Sequence, residues 1–432
     1  MSRGTVVIIG AGLAGLTAGR VLGEAGVPYR ILEAEDRPGG LCRTERTGGY
    51  IFDYTGHLLH LREGQEKELI MSLLGGELAE HGRRASIFVE GTFVPYPIQA
   101  HFGSLPRPLA DRCMADLLAA AGRPVTGDMP FDAWARAQFG DGLAEVFMLP
   151  YNEKLYAHPL EEMEVSWTSW SVPRPTVEEV RAIAAGKAAP SFGYNATFFY
   201  PRSGGIEALP AALARGQEGS VLNRTWVVKV RAKRRTVTLE DGQEMPYGHL
   251  VSTVPLPCLL SMSEELPDGL KAATGRLRHS AVLGVCMGLD GPLLRSDHWV
   301  YFPDRDLPFY RMGFPPNFSP DASPAGRGSA YLEAAFRPGA RPDPESIAAR
   351  ALQLMKDTGM VDASTRTAAR MDLDIPHAYV FHDRYRAANL RWILESLRQN
   401  SIWSAGRYGG WEYSAMQDAV GWGLRTARGI MG

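Results

Sequence analysis

Residues 5–22 read T-V-V-I-I-G-A-G-L-A-G-L-T-A-G-R-V-L. Val6 to Ile9 form a short continuous apolar run, the pattern of a parallel strand buried on both faces. Gly10, Gly12 and Gly15 follow as G-x-G-x-x-G, with Leu13 and Ala14 inside the turn. Gly10 allows the tight turn, Gly12 lets a pyrophosphate approach the backbone, and Gly15 lets a helix pack close to the strand. The segment Leu16–Ala25 predicts a helix rich in small residues. After Pro28 a second strand, Tyr29 to Leu32, ends at Glu33. A helix N-terminus offers unpaired N–H groups and a partial positive charge to phosphate, and a carboxylate at Glu33 accepts from ribose hydroxyls. Strand, glycines, helix, second strand and acid fall in register, which makes this a dinucleotide site rather than a chance glycine turn.

Working outward, the second strand runs into E-A-E-D-R-P-G-G-L-C-R-T, residues 33–44. Further on, residues 222–256 alternate in strand fashion around a D-G turn at 241–242. Residues 401–427 hold a short strand, a glycine-rich loop from Gly406 and a helix beginning near Met416. Between these pieces, Gln65–Leu74, Leu109–Ala121, Phe131–Phe139 and Leu143–Leu149 carry helical patterns. Residues 315–329 read as a long loop.

Composition narrows the function. The chain has 432 residues, more than one ordinary domain, and a formal net charge of -2. No global field favours nucleic acid or an acidic membrane. Cys42, Cys113, Cys258 and Cys286 lie far apart without zinc spacing, as in a reduced, cytoplasmic protein. No apolar run has the roughly 18 to 20 residues needed to span a bilayer. His57 and His60 are three apart with no third ligand in view, so no metal site is expected.

The acid followed by R-x-G-G resembles the FAD-binding domain shared by flavin amine oxidases, phytoene desaturases, protoporphyrinogen oxidases and UDP-galactopyranose mutases. The resemblance implies FAD and an α/β fold. A Rossmann-like FAD-binding domain would comprise residues 1–60, 200–265 and 396–432. A mainly helical insertion would occupy 61–199, and a mixed α+β substrate-binding region 266–395. Residues implied to touch FAD are Gly10, Gly12, Leu13, Ala14, Gly15, Glu33, Ala34, Arg37, Gly39, Gly40, Leu41, Cys42, Gly56, His57, Val227, Gly406, Arg407, Met416 and Gln417. The helix from Met416 would favour negative charge on a reduced flavin ring.

Within that superfamily, several segments resemble UDP-galactopyranose mutases, more the eukaryotic than the bacterial type. They are Y-T-G-H-L-L-H (54–60), V-P-Y-P-I-Q (94–99), P-Y-N-E-K-L-Y-A (150–157), V-Y-F-P-D-R-D-L-P-F-Y-R (300–311) and G-R-Y-G-G-W-E-Y-S-A-M-Q-D-A-V (406–420). The resemblance implies ring isomerisation of a nucleotide diphosphate sugar. The reduced flavin N5 would be the nucleophile, with NAD(P)H or another reductant supplying electrons. It implies catalytic roles for His57 and Arg311, the latter clamping a diphosphate. Tyr301, Tyr379 and Tyr413 would donate to the same phosphates, and Tyr96, Gln99, Asn152 and Tyr156 would line the sugar and base side. Arg311 has a second reading as a buried salt bridge, and the tyrosines a second reading as core. One departure stands out. The family's second diphosphate arginine aligns with Ser171, with Arg174 three residues on as a substitute. That departure keeps open an alternative, a redox flavoenzyme of the amine oxidase or protoporphyrinogen oxidase type. Oligomeric state is left open.

Overall fold

The computed structural model describes residues 4–121, 123, 127, 129–168, 172, 176–184 and 196–432. Ser171 and Arg174 lie outside the described residues. At the centre is a five-stranded, all-parallel sheet. Strand β1 (Val6–Ile9) lies between β2 (Tyr29–Leu32) and the strand His249–Ser252. Val221–Leu222 and Ile402–Ser404 form the two edges. Val6, Ile8 and Ile31 pack into one apolar cluster, and Val7, Ile9, Leu32 and Leu250 into another. Successive side chains point to opposite faces of a strand, so a run apolar at every position is a strand covered on both sides.

Helix α1 spans Leu13–Glu24, beginning three residues earlier than its sequence suggests. Gly15 and Gly19 weaken a helical reading because glycine is a poor helix former. Here they are needed for contact rather than propensity. The last helix, α2 (Met416–Met431), packs along α1. A side chain at Gly423 would place its Cβ 2.6 Å from the Ala14 carbonyl oxygen, so glycine sets the interhelical spacing.

The second large element is a seven-stranded sheet. Three of its strands are β3 (Trp299–Tyr301), β4 (Arg311–Gly313) and β5 (Ser329–Phe336), antiparallel neighbours in that order. His279–Leu289 and Thr367–Val380 continue the sheet on the β5 side. The other edge comes from the N-terminal half: Ala85–Val89 pairs in parallel with β3, and Thr92–Pro95 pairs with Ala85–Val89. The segment 61–199, expected to be mainly helical, therefore also builds the sheet of the substrate region. Long-range pairing wins over the local helical bias of that segment. At the Ala85 edge, the Arg84 amide meets His298 Nδ1 at 3.2 Å, 214 residues away.

The helical part follows its apolar periodicity with two irregularities. Gln65–Leu74 and Arg107–Ala120 are regular, while the helix Phe131–Leu143 is broken at Gly140 (φ 75°). The expected Leu143–Leu149 helix is a π-turn over Ala144–Met148 that runs into Leu149–Tyr156. Pro150 has no N–H, so the regular i→i−4 ladder cannot pass through it. Trp134, Phe131, Phe139 and Trp167 form the core of this layer.

Candidate active site

The dinucleotide cradle is assembled at the carboxyl ends of β1 and β2. The Glu33 carboxylate, 7% exposed, accepts from the amides of Ala11 (2.7 Å) and Glu35 (3.0 Å). Each oxygen keeps acceptor capacity for a ribose hydroxyl. Gly39 donates to the Ala11 carbonyl at 2.9 Å, laying the R-x-G-G loop on the G-x-G-x-x-G loop. A Cβ on Gly40 would lie 3.3 Å from Gly12 Cα. The Thr225 amide donates to the Glu33 carbonyl at 2.8 Å, which brings the chain leading to Val227 beside the same strand end. Gly406 reaches the first turn of α1, where a Cβ would sit 3.0 Å from Ala14 Cβ.

These residues fit a dinucleotide for a physical reason. Gly12 caps α1 without a side chain, so none can accept from the first-turn amides. Ala11, Leu13 and Ala14 are buried around that end. A buried, uncapped helix N-terminus carries unsatisfied donors unless a ligand takes them. Several predicted cofactor side chains serve the scaffold. Arg37 pairs with Glu45 at 2.6 Å. Leu41 and Cys42 pack into the core. Gln417 exchanges two hydrogen bonds with the Arg62 backbone, 2.7 and 2.9 Å. Met416 packs against the core at the head of α2, and Ala34 is half-buried after Glu33.

The second half of the site is a transverse row on the large sheet. Tyr301, Arg311 and Glu333 are register partners across β3, β4 and β5. Arg311 Nε donates to Glu333 Oε1 at 2.8 Å, and Glu333 is 1% exposed. Tyr310 donates its phenol to the other oxygen of Glu333, and the Gly56 amide lies 3.4 Å from Oε1. The salt-bridge reading of Arg311 therefore holds, and it ties Arg311 to the loop bearing His57. Thr55, just before, has φ 69°, a strained conformation for a β-branched residue.

Around this row the tyrosines gather. Tyr301 packs at 5.1 Å on Tyr96 and 5.3 Å on Tyr151. The Tyr310 and Tyr379 hydroxyls are 3.5 Å apart, and Tyr379 stacks on Tyr413 at 6.1 Å and meets Tyr156 at 6.1 Å. Arg407 lies 4.8 Å from the Tyr413 ring centroid and donates to the carbonyls of Ser414 (2.6 Å) and Ala378 (3.1 Å). Burial pushes the Tyr151, Tyr156, Tyr310 and Tyr379 phenols up, so they stay protonated donors. Gln99 is buried in the turn Ile98–His101. The Asn152 amide is spent on the Met148 carbonyl (2.7 Å).

Sequence reasoning missed Glu333, Tyr310 and Tyr151. The last two stand inside the F-Y-R and P-Y-N segments. Glu333 had a signal of its own, a lone acid in the apolar strand S-A-Y-L-E-A-A-F.

His57 is held down at about 4 by burial first and then by Arg407 and Arg311. Burial also lowers His60, His279 and His298 to about 4. The ordinary value is 6.5, so the native chain binds fewer protons there than the unfolded one as pH falls from 6.5 to 4. That part of the stability is complete above 6.5 and is lost downward, with a limiting slope of about 1.4 kcal/mol per pH unit per proton. Asp53, raised to about 6 by burial, acts in the opposite sense, its contribution being lost as pH rises from 3.8 to about 6. Four histidines outweigh one aspartate, so the urea midpoint should fall between pH 7 and pH 4.5. An unchanged midpoint would show that these imidazoles titrate normally.

Among the described residues no helix is long and apolar enough to cross a membrane. The chain is similar in structure to a reduced UDP-galactopyranose mutase, with TM-score 0.93 and 27% identity over 99% of this chain and 96% of that one. It shares its fold with the cyclohexylamine oxidase of Brevibacterium oxydans IH-35A, TM-score 0.67 at 16% identity over 99% and 98% of the two chains. In sequence it is 23% identical over 321 residues to the coproporphyrinogen III oxidase of Mycobacterium tuberculosis, covering 67% of this chain and 68% of that one. A family model, the flavin-containing amine oxidoreductases, matches residues 13–431. With the nucleotide cradle and the tyrosine-lined site on one frame, the chain belongs to the flavin-containing amine oxidoreductase family.

Proposed function

We propose that this protein is an FAD-dependent mutase that interconverts the pyranose and furanose rings of a nucleotide diphosphate sugar in the cytoplasm. The observation that carries the reading is the row Tyr301–Arg311–Glu333 with the phenols of Tyr310 and Tyr379 beside it. Cationic and phenolic donors gathered in a buried place suit a phosphorylated leaving group. Likeness to the mutase structure along the whole chain supports the same reading.

The reduced flavin, when bound, supplies a nucleophilic nitrogen, and NAD(P)H or another donor supplies its electrons. The protein does the rest. Arg311 holds phosphate, oriented by Glu333. Tyr301, Tyr379 and Tyr413 add donors, and their rings exclude water. Tyr96, Gln99, Asn152 and Tyr156 line the sugar and base side. His57, neutral above about pH 4, accepts or donates one hydrogen bond without adding charge.

The test is anaerobic incubation of dithionite-reduced enzyme with a panel of nucleotide sugars, read by HPLC and NMR, with oxidised enzyme as control. A furanose isomer formed only by reduced enzyme is the expected result. No isomer with any donor, together with oxygen uptake on an amine or a porphyrinogen, would replace this reading with the oxidase reading that the mycobacterial relative favours.

A further inference from the structure

The helix Leu149–Tyr156 is tied to the large sheet through its last carbonyls and through one side chain. The Leu155 carbonyl accepts from Ser280 Oγ at 3.1 Å, and the Ala157 carbonyl, just beyond the helix, accepts from Arg337 Nε at 2.7 Å. The side chain is Lys154. Its Nζ donates to the carbonyls of Phe302 (2.8 Å) and Asp304 (2.7 Å), 148 and 150 positions further along the chain. Both carbonyls belong to the segment that joins β3 to β4.

That segment is a hairpin, and its two ends are the candidate site. Tyr301 closes β3 and Arg311 opens β4, in register with each other. The Phe302 amide donates to the Tyr310 carbonyl at 2.8 Å, so the pairing continues one step into the loop. Tyr151 stands one helical turn before Lys154, on the same side of the helix. Its ring meets Tyr301 at 5.3 Å and Tyr310 at 6.0 Å. One helix face thus sets a ring between the ends of the hairpin and an amine against its backbone. Glu153 adds an outer tie, accepting from Arg305 Nε at 2.8 Å.

An amine in this place is costly. Burial pushes Lys154 down to about 7, opposed by the charge of Asp304. Its donors explain what the cost secures. An ammonium has three N–H donors and a neutral amine two, so either form satisfies both carbonyls. An apolar side chain would take this donor pair away.

We propose that Lys154 is a positioning residue of the phosphate site: it fixes the β3–β4 hairpin against the helix Leu149–Tyr156, so that the Tyr301 phenol and the Arg311 guanidinium present their donors together. The assignment rests on the mutase reading for the identity of the ligand. The donors of Lys154 itself go to backbone carbonyls.

The experiment titrates flavin-loaded wild type, Lys154→Met, Lys154→Gln and Lys154→Arg with UDP and, separately, with uridine, at pH 6 and pH 8. The flavin absorbance change reports binding, and near-UV circular dichroism of the unliganded proteins reports the packing of the tyrosines. Lys154→Met should weaken UDP about five- to twentyfold, as one misplaced donor would, and leave uridine unchanged. Lys154→Gln, whose amide is too short to reach both carbonyls, carries the test if the methionine variant does not fold. Lys154→Arg keeps donors in the place and should recover most of the affinity. The loss should be the same at both pH values, because the neutral amine still holds both carbonyls. A loss that fades at pH 8 would make Lys154 a direct charge on the phosphate and overturn the positioning role. Unchanged UDP binding, or an equal loss for uridine, overturns it as well. If wild type binds no UDP, the mutase reading fails, and the near-UV spectrum decides the clamp by itself: a changed tyrosine signal in Lys154→Met upholds it and an unchanged one overturns it.

Discussion

Arg311→Met should cost about 3 to 5 kcal/mol of stability as well as the grip on a nucleotide. Adding Glu333→Gln should return most of the first loss and none of the second. The reason is the 1% exposure of Glu333. Its carboxylate has a cationic partner across the strand pair, Arg311, at 2.5 Å from Nη2 and 2.8 Å from Nε. Tyr310 and Gly56 contribute only neutral donors. Removing the guanidinium strands a carboxylate away from water without its cationic partner, at high cost. Removing both charges leaves an amide that Tyr310 can still hydrogen-bond. Chemical denaturation of the flavin-loaded protein measures the first effect and UDP titration the second. Single and double variants of equal stability would mean that Glu333 does not depend on Arg311.

Gly15→Ala should be recovered largely without flavin. A Cβ at this position would lie 2.0 Å from the Gly10 carbonyl oxygen and 3.3 Å from Ile8 Cγ2. Backbone atoms cannot swing aside as a long side chain can, so α1 must move away from β1. Its N-terminal amides then leave the place where the pyrophosphate would lie. Overpacking of this kind costs about 1 to 3 kcal/mol or more, here concentrated on the cofactor cradle. Gly26→Ala is the control. It has φ 72° but open space around it, so it should lose only about 1 kcal/mol and keep its flavin. The ratio of absorbance at 450 nm to that at 280 nm in the purified proteins decides. A normal ratio in Gly15→Ala would mean that the helix has room to spare.

The parts legible in the sequence are those whose cause is local. Val6–Ile9 and Tyr29–Leu32 are short apolar runs between turn residues, and both strands stand where the pattern puts them. Gln65–Leu74 carries its helical period openly. The start of α1 is harder to read, because Gly15 lowers helix propensity for the sake of close packing on Gly10 and Ile8. The edge of the large sheet is not legible at all. Ala85–Val89 pairs with Trp299–Tyr301, and nothing in either segment names the other. The site follows the same division. Arg311 and the tyrosines lie in readable motifs, while the Arg311–Glu333 pairing depends on two strands that a long connection separates.

The central sheet also sets an order of events on the ribosome. Strand β1 is made long before its neighbour His249–Ser252 and the edge strand Ile402–Ser404. Helix α2, which packs on α1, comes later still. At roughly 20 residues per second, the stretch between α1 and α2 takes about 20 s to make. For nearly all of that time β1 and α1 wait without their final partners. The nascent chain must keep an apolar strand and a glycine-rich helix from premature association until α2 emerges. A flavin whose cradle draws on all these pieces can be captured only once α2 has been made.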